Sequence, residues 1–378
     1  MKKVLILCLS DLSRDPRVYR QIIALKDIYE VTTSGYNDPN IKKTSFIKLD
    51  EIRGCFLGKV AKVLYLKFGL YDKFYWSKVV FSDAYNKLKN IDFDLILAND
   101  SDALPLSVRL AKEKGVKLIY DAHEYTPKEF ESNFKWRFLW QNYRTYLCQK
   151  YLSQVDQMLT VCDGIRNEYY REFNVLPTVI TNAPGYQKLT YTTHINSIIK
   201  IVHHGVAIKE RNLELMIDTA KLLDDRFQLN FMLIASDLDY LAMLKNRAAD
   251  CSRIKFIEPV PMPEIPNFIN QFDIGLFILP ENGFNYKYAL PNKFFEFIQG
   301  RLMVAIGPSI EMAKIVKKYN IGVVADDFSA GAMANLLNKL TYDDIINYKQ
   351  NSSKCAKEFS ADKNQLILLD LVNNLLSS

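Results

Sequence analysis

The chain has 378 residues, too many for one ordinary core and suited to two domains of roughly 150–200 residues each. Its composition, 49% apolar and 24% charged with 14 Gly and 13 Pro, excludes collagen-like and low-complexity architectures, and no internal repeat points to a solenoid. The net charge of +6 lies wholly in the first half: residues 1–185 carry 28 Lys/Arg against 22 Asp/Glu, whereas residues 186–378 carry 21 of each.

In chain order, MKKVLILCLSD opens with charge, but Asp11 ends the apolar stretch and no signal-peptide cleavage site follows. No apolar run approaches the ~18–20 residues of a spanning helix, so a cytoplasmic protein is expected. Short β-rich runs then recur at VLILCL (4–9), EVTTS (30–34), FIKLD (46–50), LILAN (95–99), KLIYD (117–121), MLTVC (158–162) and TVITN (178–182). A second series comprises KIVHH (200–204), NFMLIA (230–235), RIKFI (253–257), IGLFI (274–278), MVAIG (303–307) and GVVAD (322–326). Stretches of helical spacing separate most of them. Apolar strands alternating with helices predict an α/β protein of two doubly wound domains, each a parallel sheet covered on both faces. The polar stretch at 183–197 marks the join, giving domains over 1–185 and 186–360, with a helix over 361–378 that packs back on the first.

Residues 53–78 combine six basic residues with one acid, Asp72, and seven aromatics: Phe56, Tyr65, Phe68, Tyr71, Phe74, Tyr75 and Trp76. Two readings stay open: a face for an anionic membrane surface or anionic acceptor, or a solvated helix with its aromatics turned inward. Nucleic acid is not an expected partner, because no recognition module accompanies the patch. The six cysteines show no CxxC pair and read as reduced packing thiols.

Ligands of doubly wound sheets bind at the carboxyl ends of strands, so the chemistry is sought in the loops there, and a cleft between two such domains is the natural site. GxGxxG, the Walker loop, HExxH and GxSxG are all missing from the sequence. Asp92/Asp94, Asp100/Asp102 and Asp237/Asp239 form Asp-x-Asp triplets able to hold a divalent cation, but three are expected by chance in an acid-rich chain. No metal site is predicted.

In YALPNKFFEFIQG (288–300), Pro291 opens a helix with Asn292 and Lys293 in its first turn, where backbone N–H groups and the macrodipole suit a diphosphate. Glu296 shares the Asn292 side by i, i+4 spacing and could accept two ribose hydroxyls. In KIVHHGVAIKERNLELMI, Gly205 follows a strand, and Arg211 is expected at the next helix start, where a cation opposed by the dipole implies a bound anion. In the first half, Asp121, His123 and Glu124 follow a strand directly, and the loop with Asp11, Ser13, Arg14, Asp15 and Arg17 precedes a helix.

Together these loops resemble the retaining GT-B glycosyltransferases of family 4, through RDPRVYRQIIAL, DAHE, VITNAPG, HHG…ERNLELMI and ALPNKFFEFIQGRLMVAIGP in that order. The resemblance implies a sugar transferred, with retention and without a metal or other cofactor, from a UDP- or GDP-linked donor to a hydroxyl of a glycan or lipid-linked acceptor. That would suit polysaccharide assembly on the inner face of a membrane. By matched position it places Gly205, Arg211, Asn292 and Lys293 on the donor diphosphate, the last two through their backbone N–H groups. Glu296 falls on the ribose and His123 near the reacting sugar, so that His123 and Arg211 carry the catalytic roles. Ser13, Asp15, Arg17, Asp121, Glu124, Tyr288 and Leu290 fall in loops around the donor sugar or acceptor. Two departures stand out: Val206 replaces an Arg after the glycine, and Tyr288 replaces the first glutamate of the family's pair. A nucleotide-sugar epimerase on the same fold, or an inactive sugar-nucleotide-binding partner, are the alternatives.

Overall fold

The computed structural model describes residues 1–51, 59–194 and 197–377, and of 59–62 the backbone alone. All thirteen strands expected from the sequence are present, in two parallel sheets. The first sheet holds β1 (Lys3–Cys8), β2 (Glu30–Gly35), β3 (Thr44–Lys48), β4 (Leu95–Asn99), β5 (Lys117–Ala122), β6 (Gln157–Thr160) and β7 (Thr178–Val179). The second holds β8 (Ile199–Ala207), β9 (Phe227–Ala235), β10 (Ile254–Ile257), β11 (Ile274–Phe277), β12 (Met303–Ile306) and β13 (Gly322–Val324).

Strand order is β3-β2-β1-β4-β5-β6-β7 in one and β10-β9-β8-β11-β12-β13 in the other, so each sheet reverses direction beside its first strand. The crevices there, between β1 and β4 and between β8 and β11, are where doubly wound sheets take ligands.

The chain divides into two compact units. The first comprises Met1–Thr181, the tripeptide Gly283–Asn285 and the stretch from Asn364 onward. Its core packs Val4, Ile6, Leu95, Leu97, Ile119 and Leu159 with Leu368 and Val372 of the helix Ala361–Ser377. Asn364 Nδ2 anchors that helix by donating to Thr181 O (2.9 Å), and Tyr29 Oη donates to Asn373. Asn285 Oδ1 accepts from the Tyr125 N–H at 2.8 Å, which ties the tripeptide in.

The second unit, Asn182–Asn282 and Tyr286–Lys363, is built around Ile201, Leu229, Phe231, Ile274, Leu276 and Met303. The helix Asn292–Gln299 lies close against β11, because the missing side chain of Gly275 leaves room for Phe297; a Cβ there would stand 2.3 Å from the Phe297 ring. At its far end Gln299 Nε2 donates to Ala356 O (2.6 Å) and Phe359 O (2.8 Å), and its Oε1 accepts from Gln187 N–H. The C-terminal part of the helix is thus held by buried contacts.

The aromatic stretch at 53–78 divides between the two readings. Arg53 and Phe56 lie outside the described residues, as do the side chains of Lys59 and Lys62. Phe74 and Tyr75 are buried, and Tyr71 packs on Tyr143 and Tyr146 (ring centroids 5.9 and 5.0 Å apart). These aromatics belong to a core under two short helices, Lys59–Lys67 and Tyr71–Trp76, whereas Phe68 stands in solvent. Among the described residues the cysteines are free thiols, and no helix is long and apolar enough to cross a membrane.

Candidate functional site

In the second unit the candidate residues gather at the carboxyl end of β8. Gly205 does not follow that strand but lies within it, paired with Leu233 of β9, at a φ of +123° that side chains rarely adopt. A Cβ on Gly205 would meet Lys293 Nζ at 3.1 Å and Arg211 at 4.0 Å. The bare backbone is therefore the floor on which an ammonium and a guanidinium converge. The sequence reading placed Lys293 there through its N–H; the structure brings its buried side chain instead.

Arg211 is not at a helix start. It closes the 3-10 turn Lys209–Arg211, the left-handed Asn212 intervenes, and the helix begins at Glu214. The argument from a cation opposing a helix dipole thus falls away. Its guanidinium bends back to donate to Val206 O (3.3 Å), and Asn282 Nδ2 donates to Glu210 O (2.8 Å), joining the loops after β8 and β11.

Lys293 Nζ lies 3.2 Å from His203 Nε2 and 4.5 Å from the centre of the Phe277 ring. Burial first, and the Arg211 guanidinium second, hold its ammonium well below its ordinary range, with Glu296 pulling the other way. Burial and Lys293 also push His204 down to about 3. The 3.5 Å approach of His204 to Glu296 therefore involves a neutral imidazole and is no ion pair. Glu296 is itself largely covered, on a helix whose N-cap, Pro291, offers no side-chain bond to the first turn. Leu290 is buried, and Tyr288 is half-buried with the Lys287 ammonium 6.0 Å from its ring; Asn292 is half-buried at the first position of the helix, and Glu281 is exposed. Two close cations on a glycine floor make a site for a dense anion such as a diphosphate.

In the first unit, Arg17 and Asp121 were expected to face a ligand; the structure pairs them with each other. Arg17 Nε and Nη2 each donate to the Asp121 carboxylate at 2.7 Å, both residues are buried, and Nη1 donates to Ile180 O. Burial alone would raise the Asp121 pKa, but Arg17, His123 and the Gln21 hydrogen bond keep it below the usual value. Asp15 caps the helix Pro16–Leu25, accepting from the N–H groups of Arg17 and Val18, and Ser13 Oγ donates to Asp11 (2.6 Å). These residues shape the loop. They do not line the cavity beside it.

That cavity, about 290 Å³, opens at the carboxyl ends of β4 and β5 and is lined by Asp100, Asp102, His123, Glu124, Glu129 and Arg144 among others. His123 is held from both sides: Nε2 lies 3.2 Å from Asn99 Oδ1 and Nδ1 lies 3.3 Å from Asp100 Oδ1. Gln21 bridges behind it, donating to Asn99 Oδ1 (2.9 Å) and Asp121 (2.6 Å). Asp100 sits at φ +64°, in the left-handed region, as the first residue of the helix Asp100–Lys114. Desolvation at the mouth of the cavity, with Asp15, Asp121 and Asp102 nearby, raises its carboxyl above the usual range against the pull of His123. Arg144 donates to Ser101 Oγ (2.7 Å) and Asp102 (3.0 Å). Four carboxylates around a cavity that holds one arginine can accept hydroxyl hydrogen bonds and would repel an anion.

The Asp-x-Asp triplets have local explanations: Asp94 accepts from the Lys3 N–H, Asp102 pairs with Arg144, and Asp237 caps the helix Leu238–Ala248. Among the described residues no three His, Cys, Asp or Glu side chains converge as a metal site. Sequence reasoning missed Gln21, Asn99, Glu129 and Arg144. Asn99 was visible as the last residue of a predicted strand, but nothing local marked the others.

No family model and no curated protein matches the sequence. Solved structures do. Anabaena HepE in complex with UDP and glucose superposes with a TM-score of 0.72 at 13% identity, over 99% of this chain and 100% of that one. Sucrose-phosphate synthase from Thermosynechococcus elongatus gives 0.73 at 13% identity, over the whole of both chains. WaaG, a glycosyltransferase involved in lipopolysaccharide biosynthesis, gives 0.69 at 12%, covering 97% of this chain and 99% of that one. At such identities what is shared is the fold, which is that of the GT-B glycosyltransferases.

Proposed function

We propose that the protein transfers a sugar from a nucleoside-diphosphate sugar to a hydroxyl acceptor, with retention and without a metal ion. The convergence of Lys293 and Arg211 on the bare backbone of Gly205 carries this reading, because a dense anion bound there would favour the charged form of both groups. The GT-B fold, shared with proteins solved with UDP and UDP-glucose, adds the nucleotide.

In the reaction the bond from the anomeric carbon to the diphosphate breaks as the bond to the acceptor oxygen forms. Negative charge grows on the leaving phosphate, and Arg211 and Lys293 stabilise it there; preorganised charge of this kind is worth several kcal/mol in a water-poor site. The leaving phosphate oxygen takes the acceptor's proton. Glu296 holds the ribose. The cavity on the first unit receives the acceptor, whose hydroxyls Asp100, Glu124 and His123 orient, while the Arg17–Asp121 pair and Gln21 hold the His123 loop in place.

Calorimetry with UDP and with GDP tests the donor site, and Lys293→Met and Arg211→Ala should each weaken the preferred diphosphate by roughly tenfold to a hundredfold. Release of free sugar from a matching nucleotide sugar, accelerated by an added acceptor, tests transfer. Failure of both diphosphates to bind would overturn the reading. Donor binding with no sugar released under any acceptor would instead favour a binding partner without activity.

A further inference from the structure

Apolar side chains that folding leaves in water gather on one face of the first unit. Phe68 follows the helix Lys59–Lys67 and is 69% exposed; Phe134 and Phe138 are 71% and 73% exposed. The backbone of that helix packs beside the turn Arg137–Gln141, so the two sets are neighbours. Val63 and Leu64 on the helix are exposed as well, and Phe130 extends the patch through Trp136, the two rings 6.0 Å apart. Phe134 opens the short helix Phe134–Trp136, and Phe138 lies in the π-helical segment Arg137–Gln141 that continues it, one turn further on. Single exposed apolar residues are ordinary, but several large ones on two touching elements are not.

The charged residues on these two elements have one sign. Lys67, Lys135 and Arg137 are exposed, and the Arg137 guanidinium lies 5.9 Å from the Phe134 ring. Neither KVAKVLYLK (59–67) nor FKWRFLWQ (134–141) contains an acid. The neighbouring carboxylates are occupied: Asp72 accepts from Lys150, Tyr146 and Tyr151, and Glu131 accepts from the Phe284 N–H. Aromatic rings flanked by uncompensated cations match the boundary of an anionic bilayer, where rings sit at headgroup depth and long basic side chains reach the phosphates.

We propose that the helix Lys59–Lys67, Phe68 and the segment 134–141 together dock on an anionic phospholipid surface. Phe68, Phe134 and Phe138 enter the boundary of headgroups and acyl chains, while Lys67, Lys135 and Arg137 meet lipid phosphates. Half of this face was outside the basic stretch that the sequence singled out. The proposal is independent of the donor site in the second unit and stands or falls without it.

The test sediments the full chain with vesicles of phosphatidylcholine alone and of equal parts phosphatidylcholine and phosphatidylglycerol, while following Trp136 and Trp140 fluorescence. Binding to the anionic vesicles with a blue shift, and little to the neutral ones, is expected. Phe134→Ser combined with Phe138→Ser should lower affinity about tenfold or more, through lost apolar burial. Lys135→Gln combined with Arg137→Gln should lower it about twenty-five-fold and flatten its salt dependence, each cation being worth roughly a fivefold factor near such a surface. Absence of binding to anionic vesicles would overturn the proposal, as would a phenylalanine variant that binds like the parent. So would a dimer of the parent protein in solution that the phenylalanine variant dissociates, since the face would then be covered by a second copy.

Discussion

Lys293 Nζ donates to His203 Nε2 across 3.2 Å, and the far side of the ring determines that direction. His203 Nδ1 is 2.9 Å from Leu276 O, a carbonyl that can only accept, so Nδ1 carries the proton and Nε2 presents a lone pair. The buried ammonium thus meets a neutral partner, with Arg211 pushing its pKa down and Glu296 pulling it up. A diphosphate bound there would restore the ammonium's ordinary basicity.

Proton uptake on nucleotide binding follows from this arrangement. The free protein holds the Lys293 pKa well below its usual value, and the bound anion raises it, so binding takes up protons and affinity declines as pH rises through the free protein's pKa. Calorimetry of UDP or GDP binding in two buffers of different ionisation enthalpy measures the uptake. Lys293→Met should abolish it; an undiminished uptake in that variant would assign the proton elsewhere.

The same pocket should make the fold acid-sensitive before its carboxylates titrate. His203 lies well below its usual pKa and His204 at about 3, each chiefly through burial, whereas in the unfolded chain both titrate near 6.5. Below that value the unfolded state binds more protons, so this stability is complete above pH 6.5 and is lost as pH falls. Between pH 7.5 and 5.5 the loss should be about 1.4 kcal/mol per histidine. Urea unfolding at the two pH values measures it, and His204→Asn should show about half the loss. Equal sensitivity in that variant would point to other groups.

The Arg17–Asp121 pair should be far more costly to break than to replace. Asp121→Ala leaves a buried guanidinium without its carboxylate, a change that typically costs about 3–5 kcal/mol. Arg17→Met combined with Asp121→Leu removes both charges and should recover much of that loss. Denaturant unfolding of the three proteins checks the order, and a double variant no more stable than the single one would show that the pair's hydrogen bonds to Ile180 O and Gln21 matter more than its charges.

Gly275→Ala should unsettle the helix that carries Lys293. Its Cβ would stand 2.3 Å from a fully buried Phe297, so helix or strand must shift, at a cost of about 1–3 kcal/mol or more. Nucleotide binding should weaken with it. Phe297→Leu in the same chain makes room and should restore both stability and binding; recovery of neither would locate the damage in the strand.

Most of the thirteen strands were legible because a parallel strand buried on both faces reads as a short apolar run, while the partly exposed edge strands β3 and β7 were legible from their β-rich composition and spacing. Strand β8 shows where that signal stops. The sequence reading ends it at His204, but backbone pairing with β9 continues through Gly205 to Ala207, beyond the two histidines and the glycine that interrupt the apolar pattern. Lys293 was legible as a residue of the site but not in its direction, since a lysine in a first turn ordinarily points to water. The partnership of Arg17 with Asp121 joins residues 104 positions apart, and each taken alone resembled a ligand-facing residue of a loop. Phe134 and Phe138 carried no signal at all in a window chosen for its basic charge.

The position of Leu368 and Val372 in the first core bears on how the chain is made. The ribosome releases β1 through β7 before any of the second unit, yet the helix Ala361–Ser377 that completes their core emerges only afterwards. The strands made earliest therefore wait, with Val4, Ile6 and Leu95 incompletely covered, while the whole of Asn182–Asn282 and Tyr286–Lys363 is synthesised. The first unit is thus begun first but cannot close its core until synthesis reaches this helix, at the same point at which the last residues of the second unit are made.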